Sequence, residues 1–195
     1  LAALGENAGG SRQLASGADD GTIKLWTIGT WECEFTVYHS GQGQACGILA
    51  LARAGGHLVS GSDSAEIKVW NTATWVCEHV LAGHGGEVWA LTVVNGRLVS
   101  ASVDPDADEN TIRVWNPEAD WECECELEEH TGAVYALTQL EGGKLVSGSN
   151  DRTCKVWSRE WECERTLECS AVWTLAVCNG RVVSGSVDGS ITVWA

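Results

Sequence analysis

The chain has 195 residues, of which 27 are acidic and 12 basic, giving a formal charge of −15 and a pI near 4.6. A field of that sign repels phosphate backbones and anionic lipid heads, which argues against nucleic acid and membrane surfaces as partners and favours a basic peptide or protein surface. No apolar run approaches the roughly 20 residues of a membrane helix. Residues 1–10 lack the basic start and apolar centre of a secretion signal, so the expected location is cytoplasmic or nuclear.

Trp26, Trp70, Trp115, Trp157 and Trp194 each follow a leucine or valine, at spacings of 44, 45, 42 and 37 residues. A period of about 40 residues is expected when one small sheet is copied along a chain. A unit of that size cannot cover its own apolar faces and must stack on its neighbours, so residues 1–195 read as one repeat domain with units ending near those tryptophans.

Four strands, a to d, are predicted per unit. Residues 1–4 read as the end of a first strand a and 14–18 as its strand b. Later units open strand a at 48–51, 88–91, 134–137 and 172–175, each rich in β-branched, aromatic and leucine residues. Gly55-Gly56, Asn95-Gly96, Gly142-Gly143 and Asn179-Gly180 then fit tight hairpins, because Gly and Asn tolerate positive φ. Strand b follows at 58–62, 98–102, 145–149 and 182–186, strand c ends on the periodic tryptophan, and strand d opens with Trp31, Trp75, Trp121 or Trp161. The expected class is therefore all-β, with four complete four-stranded antiparallel units and a fifth lacking strand d. That missing strand, and the absence of methionine, predict a piece of a longer chain, completed by further sequence or by another copy.

Nine cysteines occur without a CxxC pair, so neither a zinc site nor a redox motif is indicated. Cys33, Cys77, Cys123 and Cys163 each stand two residues after a strand-d tryptophan, a placement that predicts reduced, small, buried side chains. In the third unit, alternation over 122–129 places Cys123, Cys125 and Leu127 inward and Glu122, Glu124 and Glu126 outward. Glu32, Glu34, Glu162 and Glu164 hold matching places. Charges along an outermost strand discourage edge-to-edge pairing; docking of a basic partner is the alternative.

A histidine before strand a, a serine in strand b, an aspartate in the b–c turn and a tryptophan ending strand c resemble the pattern of the WD-repeat β-propellers, over essentially the whole chain. The resemblance implies radially arranged blades, about seven in most members, and a buried hydrogen-bond network through those four residues. Its copies are His130, Ser147, Asp151 and Trp157, and His84, Ser100, Asp104 and Trp115. Ser64 stands where the second unit should carry its aspartate, and the last unit has no histidine. Serine, histidine and aspartate also compose a hydrolase triad, but an enzyme needs one activated nucleophile and this set recurs. No GxSxG, HExxH, P-loop or GxGxxG motif is present, so neither catalysis nor a cofactor is expected.

The residue after the first position of strand a is Leu49, Trp89, Tyr135 and Trp173 in successive units. The resemblance implies that this position faces the channel mouth, where peptides bind. An arc of Leu49, Trp89, Tyr135 and Trp173 has hot-spot composition, and Glu87 and Asp151 are candidate rim charges for a Lys- or Arg-bearing peptide; the rings also suit plain packing between blades. One insertion breaks the register: strand-b serine to strand-c tryptophan spans 10 residues in four units and 15 in the third. The added residues lie in Asp104-Pro-Asp-Ala-Asp-Glu-Asn110, whose alternating aspartates lack the glycine and closing glutamate of a calcium loop, so a solvated loop is expected and no metal is assigned. The leading expectation is a non-catalytic scaffold for protein or peptide partners. The alternatives are a substrate-recognition propeller of a ubiquitin ligase or a reader of histone-tail-type basic peptides, and, further off, an enzyme using the channel.

Overall fold

The computed structural model describes residues 1–6, 12–40, 46–103 and 111–194. They form five antiparallel meanders in chain order. The first sheet is β1 (Ala2–Glu6), β2 (Arg12–Gly17), β3 (Thr22–Thr27) and β4 (Cys33–Tyr38). The second is β5 (Ile48–Ala54), β6 (His57–Ser62), β7 (Ile67–Asn71) and β8 (Cys77–Leu81). The third comprises β9 (Glu87–Val94), β10 (Arg97–Val103), β11 (Ile112–Asn116) and β12 (Glu122–Leu127), and the fourth β13 (Val134–Leu140), β14 (Lys144–Ser149), β15 (Thr153–Trp157) and β16 (Cys163–Glu168). The fifth has three strands, β17 (Val172–Cys178), β18 (Arg181–Ser186) and β19 (Ile191–Trp194). Among the described residues the helical element is one 3-10 turn, Pro117–Ala119. No helix there is long and apolar enough to cross a membrane.

The chain divides into two compact units, Leu1–Val88 and Trp89–Ala195. In the first, Ile23, Leu25 and Leu58 are fully buried and pack with Leu4, Ala15, Ile48 and Trp70. In the second, Val99, Ile112 and Val114 pack with Val134, Leu145 and Trp157, and Val146, Cys154 and Val156 pack with Val172 and Val182. The second strand of each inner sheet is buried along nearly its whole length. It therefore reads as a run of Leu, Val, Ser and Gly instead of an alternation. The hairpins from first to second strand have the expected left-handed pair, with φ of 51° and 79° at Asn95 and Gly96 and of 49° and 71° at Asn179 and Gly180.

The outer strands depart from expectation. They begin one or two residues after their tryptophans, because Trp31, Trp75, Trp121 and Trp161 adopt positive φ of 59°, 57°, 62° and 67°. Four repeats of a conformation uncommon for a bulky residue mark a fixed feature of the turn. Nor are the cysteines that follow buried: Cys33 and Cys123 are exposed and Cys77 and Cys163 half-buried. Every outer pair carries a register shift, beside which Trp26, Trp70, Trp115 and Trp157 lie opposite Cys33, Cys77, Cys123 and Cys163. Each thiol instead donates to the carbonyl two residues on, at 3.4, 3.3, 3.6 and 3.7 Å.

Each shift leaves one extra residue on the outer strand: Glu34, Glu78, Glu124 or Glu164. A bulge re-aims its side chain, and these carboxylates reach back across the sheet. Glu78 accepts from His57 at 2.9 Å and from Asn71 at 2.8 Å. Glu124 accepts from Arg97 at 2.8 Å and from Asn116 at 2.6 Å. Glu34 accepts from Gln13 and Thr27, and Glu164 from Lys144. Glu34, Glu78 and Glu124 thus tie three strands together, and Glu164 reaches the second strand, besides charging an edge. Because these contacts are exposed, Glu124→Ala is expected to lower stability by only about 1 kcal/mol, read as a shifted urea midpoint at unchanged slope.

Candidate functional site

Two sets of polar and aromatic side chains stand out, one buried and one accessible. The buried set starts from the tryptophan closing the third strand, whose indole N–H needs an acceptor once covered. The serine of the second strand supplies it in all five sheets: Trp26 to Ser16, Trp70 to Ser60, Trp115 to Ser100, Trp157 to Ser147 and Trp194 to Ser184, at 2.8, 2.8, 2.8, 2.9 and 3.1 Å.

In the fourth sheet the chain of bonds continues. Ser147 Oγ lies 2.7 Å from His130 Nε2, and His130 Nδ1 lies 2.6 Å from Asp151 Oδ2. Both ring nitrogens of His130 are thus engaged, one by the Ser147 hydroxyl and one by the Asp151 carboxylate, while the same serine oxygen accepts from Trp157. Asp151 also accepts from the amide of Thr131 and from the amide and hydroxyl of Thr153. Burial pushes the Asp151 carboxyl up, but the bonds from His130 and Thr153 outweigh it and hold the group at about 2. The atoms are those of a hydrolase triad, Oγ to Nε2 and Nδ1 to carboxylate. Ser147, however, is 0% exposed and its oxygen is engaged by an indole, so no substrate reaches it.

The second sheet shows what happens without the aspartate. Here Ser60 Oγ lies 2.9 Å from His39 Nδ1, the opposite ring nitrogen. His39 Nε2 is buried with no hydrogen-bond partner among the described residues, 3.9 Å from Glu66. Burial, aided by the Lys68 cation and opposed by Glu66 and Asp63, pushes the imidazole down to about 4. In the third sheet His84 and Ser100 are buried, whereas Asp104 and the remainder of the acidic insertion lie outside the described residues.

The accessible set is aromatic. Trp89 and Tyr135 meet edge to face, with ring centroids 5.5 Å apart at 89°. Tyr135 and Trp173 stack at 5.2 Å and 25°. Trp89 and Tyr135 are half-buried, while Trp173 is 55% exposed. Tyr135 and Trp173 are each the extra residue of a bulge between the first two strands of their sheets, and Leu49 is the extra residue in β5. A bulge takes the side chain out of the alternation that would bury it. The small Ala90 and Ala136 that follow are buried.

Leu49 and Glu87 are half-buried in the first unit, on β5 and at the start of β9. Asp151 does not join the aromatic rings in these contacts; its side chain is 6% exposed and is held by His130. No group of three or more His, Cys, Asp or Glu side chains suited to a metal ion occurs among the described residues.

Repeated antiparallel sheets, each fastened by a tryptophan–serine bond, define the class: a repeat protein whose variable positions are free to serve recognition. The WD40 family model, described as WD domain, G-beta repeat, matches residues 7–27, 75–116, 121–158 and 161–195. The chain belongs to the WD-repeat family, whose repeats act as protein-interaction scaffolds. Residues 28–74 fall outside the match, yet they carry β5–β7 of a sheet with the same strand order. Among solved structures, the chain is similar to the crystal structure of a computationally designed protein, Ika8, with 33% identity, a TM-score of 0.76, and coverage of 93% of this chain and 55% of that one. It thus spans about half the length of that structure.

Proposed function

We propose that the chain is a non-catalytic scaffold that binds a peptide bearing lysine or arginine on the rings of Trp89, Tyr135 and Trp173. The observation that carries this reading is the contiguous aromatic trio, mounted on the first strands of three successive sheets, β9, β13 and β17, and open at Trp173. An aromatic face attracts a cation by about 0.5–1 kcal/mol when exposed and about 2 when desolvated. The chain's charge of −15 draws a basic peptide toward it and speeds encounter. In the first unit, Leu49 holds the repeat position that Trp89, Tyr135 and Trp173 hold in the second, and Glu87 is a candidate charge two residues before Trp89 in sequence. Asp151 serves it indirectly, by fixing the turn through His130. Burial of the Ser147 hydroxyl favours this reading over an enzyme. Recognition of a ubiquitin-ligase substrate or of a histone-tail-type peptide are forms it can take.

The test is a pull-down from a library of basic peptides with wild type and with Trp89→Ala plus Tyr135→Ala, both shown folded by circular dichroism. Capture is expected to be lost in the double variant and to weaken with salt. Peptides retained undiminished by the folded variant would sink the proposal.

A further inference from the structure

Two departures from the repeat meet in the fourth sheet. The residue three before the closing tryptophan is isoleucine at Ile23, Ile67, Ile112 and Ile191, but in the fourth unit it is Cys154. The link into the next first strand is also shortened there: Leu81 to Val88 and Leu127 to Val134 are each 7 positions apart, Leu167 to Val172 only 5. That shortened link carries Cys169. The sulfur atoms of Cys154 and Cys169 lie 3.9 Å apart.

The backbone holds them there. Cys154 is opposite Leu167 in the β15–β16 ladder, and the Cys169 amide donates to the Arg152 carbonyl at 2.9 Å. The two side chains therefore lie diagonally on one face, where neighbours interact. Cys154 is fully buried in the core between the fourth and fifth sheets, and Cys169, half-buried, packs at its margin. A disulfide needs the sulfurs about 2 Å closer. Cys169 sits past the end of β16, on the link of residues 169–171, so the approach leaves the ladder in place.

We infer that Cys154 and Cys169 form an oxidisable thiol pair, a site of reversible disulfide formation by exchange with a small-molecule disulfide such as oxidised glutathione. The accessible Cys169 thiolate attacks one sulfur of the reagent, forming a mixed disulfide and releasing one glutathione thiolate, which takes the Cys169 proton. Cys154 sulfur then attacks Cys169 Sγ, the protein disulfide forms, and the second glutathione leaves with the Cys154 proton. Both cysteines are oxidised by one electron each and the reagent is reduced to two thiols. Burial pushes the Cys154 thiol up to about 12 and the Cys169 thiol upward too. Neither is stabilised as a thiolate, which favours the bond once made and makes its formation slow. The bond would tie β15 to the link that mounts β17, the strand bearing Trp173. This inference stands independently of peptide binding.

The whole chain is incubated with oxidised glutathione, its free thiols are alkylated, and the protein is digested without reductant and mapped by mass spectrometry. A peptide pair joined through Cys154 and Cys169, lighter by two hydrogen atoms than the free pair and released by dithiothreitol, is the expected result. Exposed cysteines such as Cys33 carry glutathione adducts at most. Cys154→Ile, which restores the residue of the other repeats, is expected to fold and to leave Cys169 as a glutathione adduct with no internal link. Alkylated Cys154 in the treated wild type, or its linkage to any other cysteine, would overturn the inference.

Discussion

Trp157→Ala is expected to lower unfolding stability by about 3–5 kcal/mol, the range for deleting a buried large aromatic side chain. That is a large share of the roughly 5–15 kcal/mol available to a typical domain. The ring is 1% exposed and belongs to the apolar cluster of Val99, Ile112, Val114, Val134 and Leu145. Its loss opens a cavity in a core that two sheets share. Its removal also takes the indole donor from Ser147 and the edge contact from His130, whose ring centroid is 6.3 Å away. Trp157→Phe bears on the two contributions, because it deletes the N–H while retaining an aromatic ring and most of the volume. It should cost markedly less than the alanine change. Urea unfolding by far-ultraviolet circular dichroism reads both, and equal losses would show that packing is not what Trp157 supplies.

Acidification gives the second large effect. An unfolded His39 has the ordinary imidazole value of about 6.5, whereas burial in the fold pushes it down to about 4. Between those values the unfolded chain binds more protons than the folded one, so stability is full above pH 6.5 and falls as the pH drops toward 4. At about 1.4 kcal/mol per pH unit, this one imidazole removes a few kcal/mol over that window. Asp151 acts lower, since the bonds from His130 and Thr153 hold its carboxyl at about 2, well under the ordinary carboxylate value; what it contributes is lost as the pH falls through the range below that ordinary value. His39→Gln is expected to abolish the upper part of the acid loss and leave the lower part. Ser64→Asp, which places a carboxylate where Asp151 stands in the fourth sheet, is expected to shrink the upper loss, because a carboxylate beside His39 favours the charged ring and brings its folded pKa back toward the unfolded value. Urea midpoints measured from pH 7 to pH 3 decide between these outcomes, and a wild-type stability flat from pH 6.5 to 4 would contradict the account of His39.

Period, hairpins and strand order were legible because they rest on local chemistry repeated five times. A tryptophan every forty or so residues and paired Gly or Asn residues at positive φ leave little choice of connection. The outer strands were less legible because alternation assumes an unbroken ladder. The extra residue at Glu34, Glu78, Glu124 or Glu164 breaks that ladder and carries its carboxylate back over the sheet. A signal existed in the recurring Trp-x-Cys-Glu spacing, whose glutamate is as periodic as its tryptophan. The reversed ring of His39 was invisible for another reason, since Ser64 reads as a small substitution until the missing acceptor is seen. For the aromatic trio, sequence supplied the positions, and geometry supplied the bulges and ring contacts at Tyr135 and Trp173.

The proposed binding of a cationic side chain rests on those rings, and Trp173 is the member best suited to a clean test because it is 55% exposed. The direct measurement is calorimetric titration of a basic peptide captured by wild type into wild type and into Trp173→Ala of equal melting temperature. Binding at least about tenfold weaker in the variant, equivalent to about 1.4 kcal/mol, is the predicted result. An unchanged Kd would contradict it.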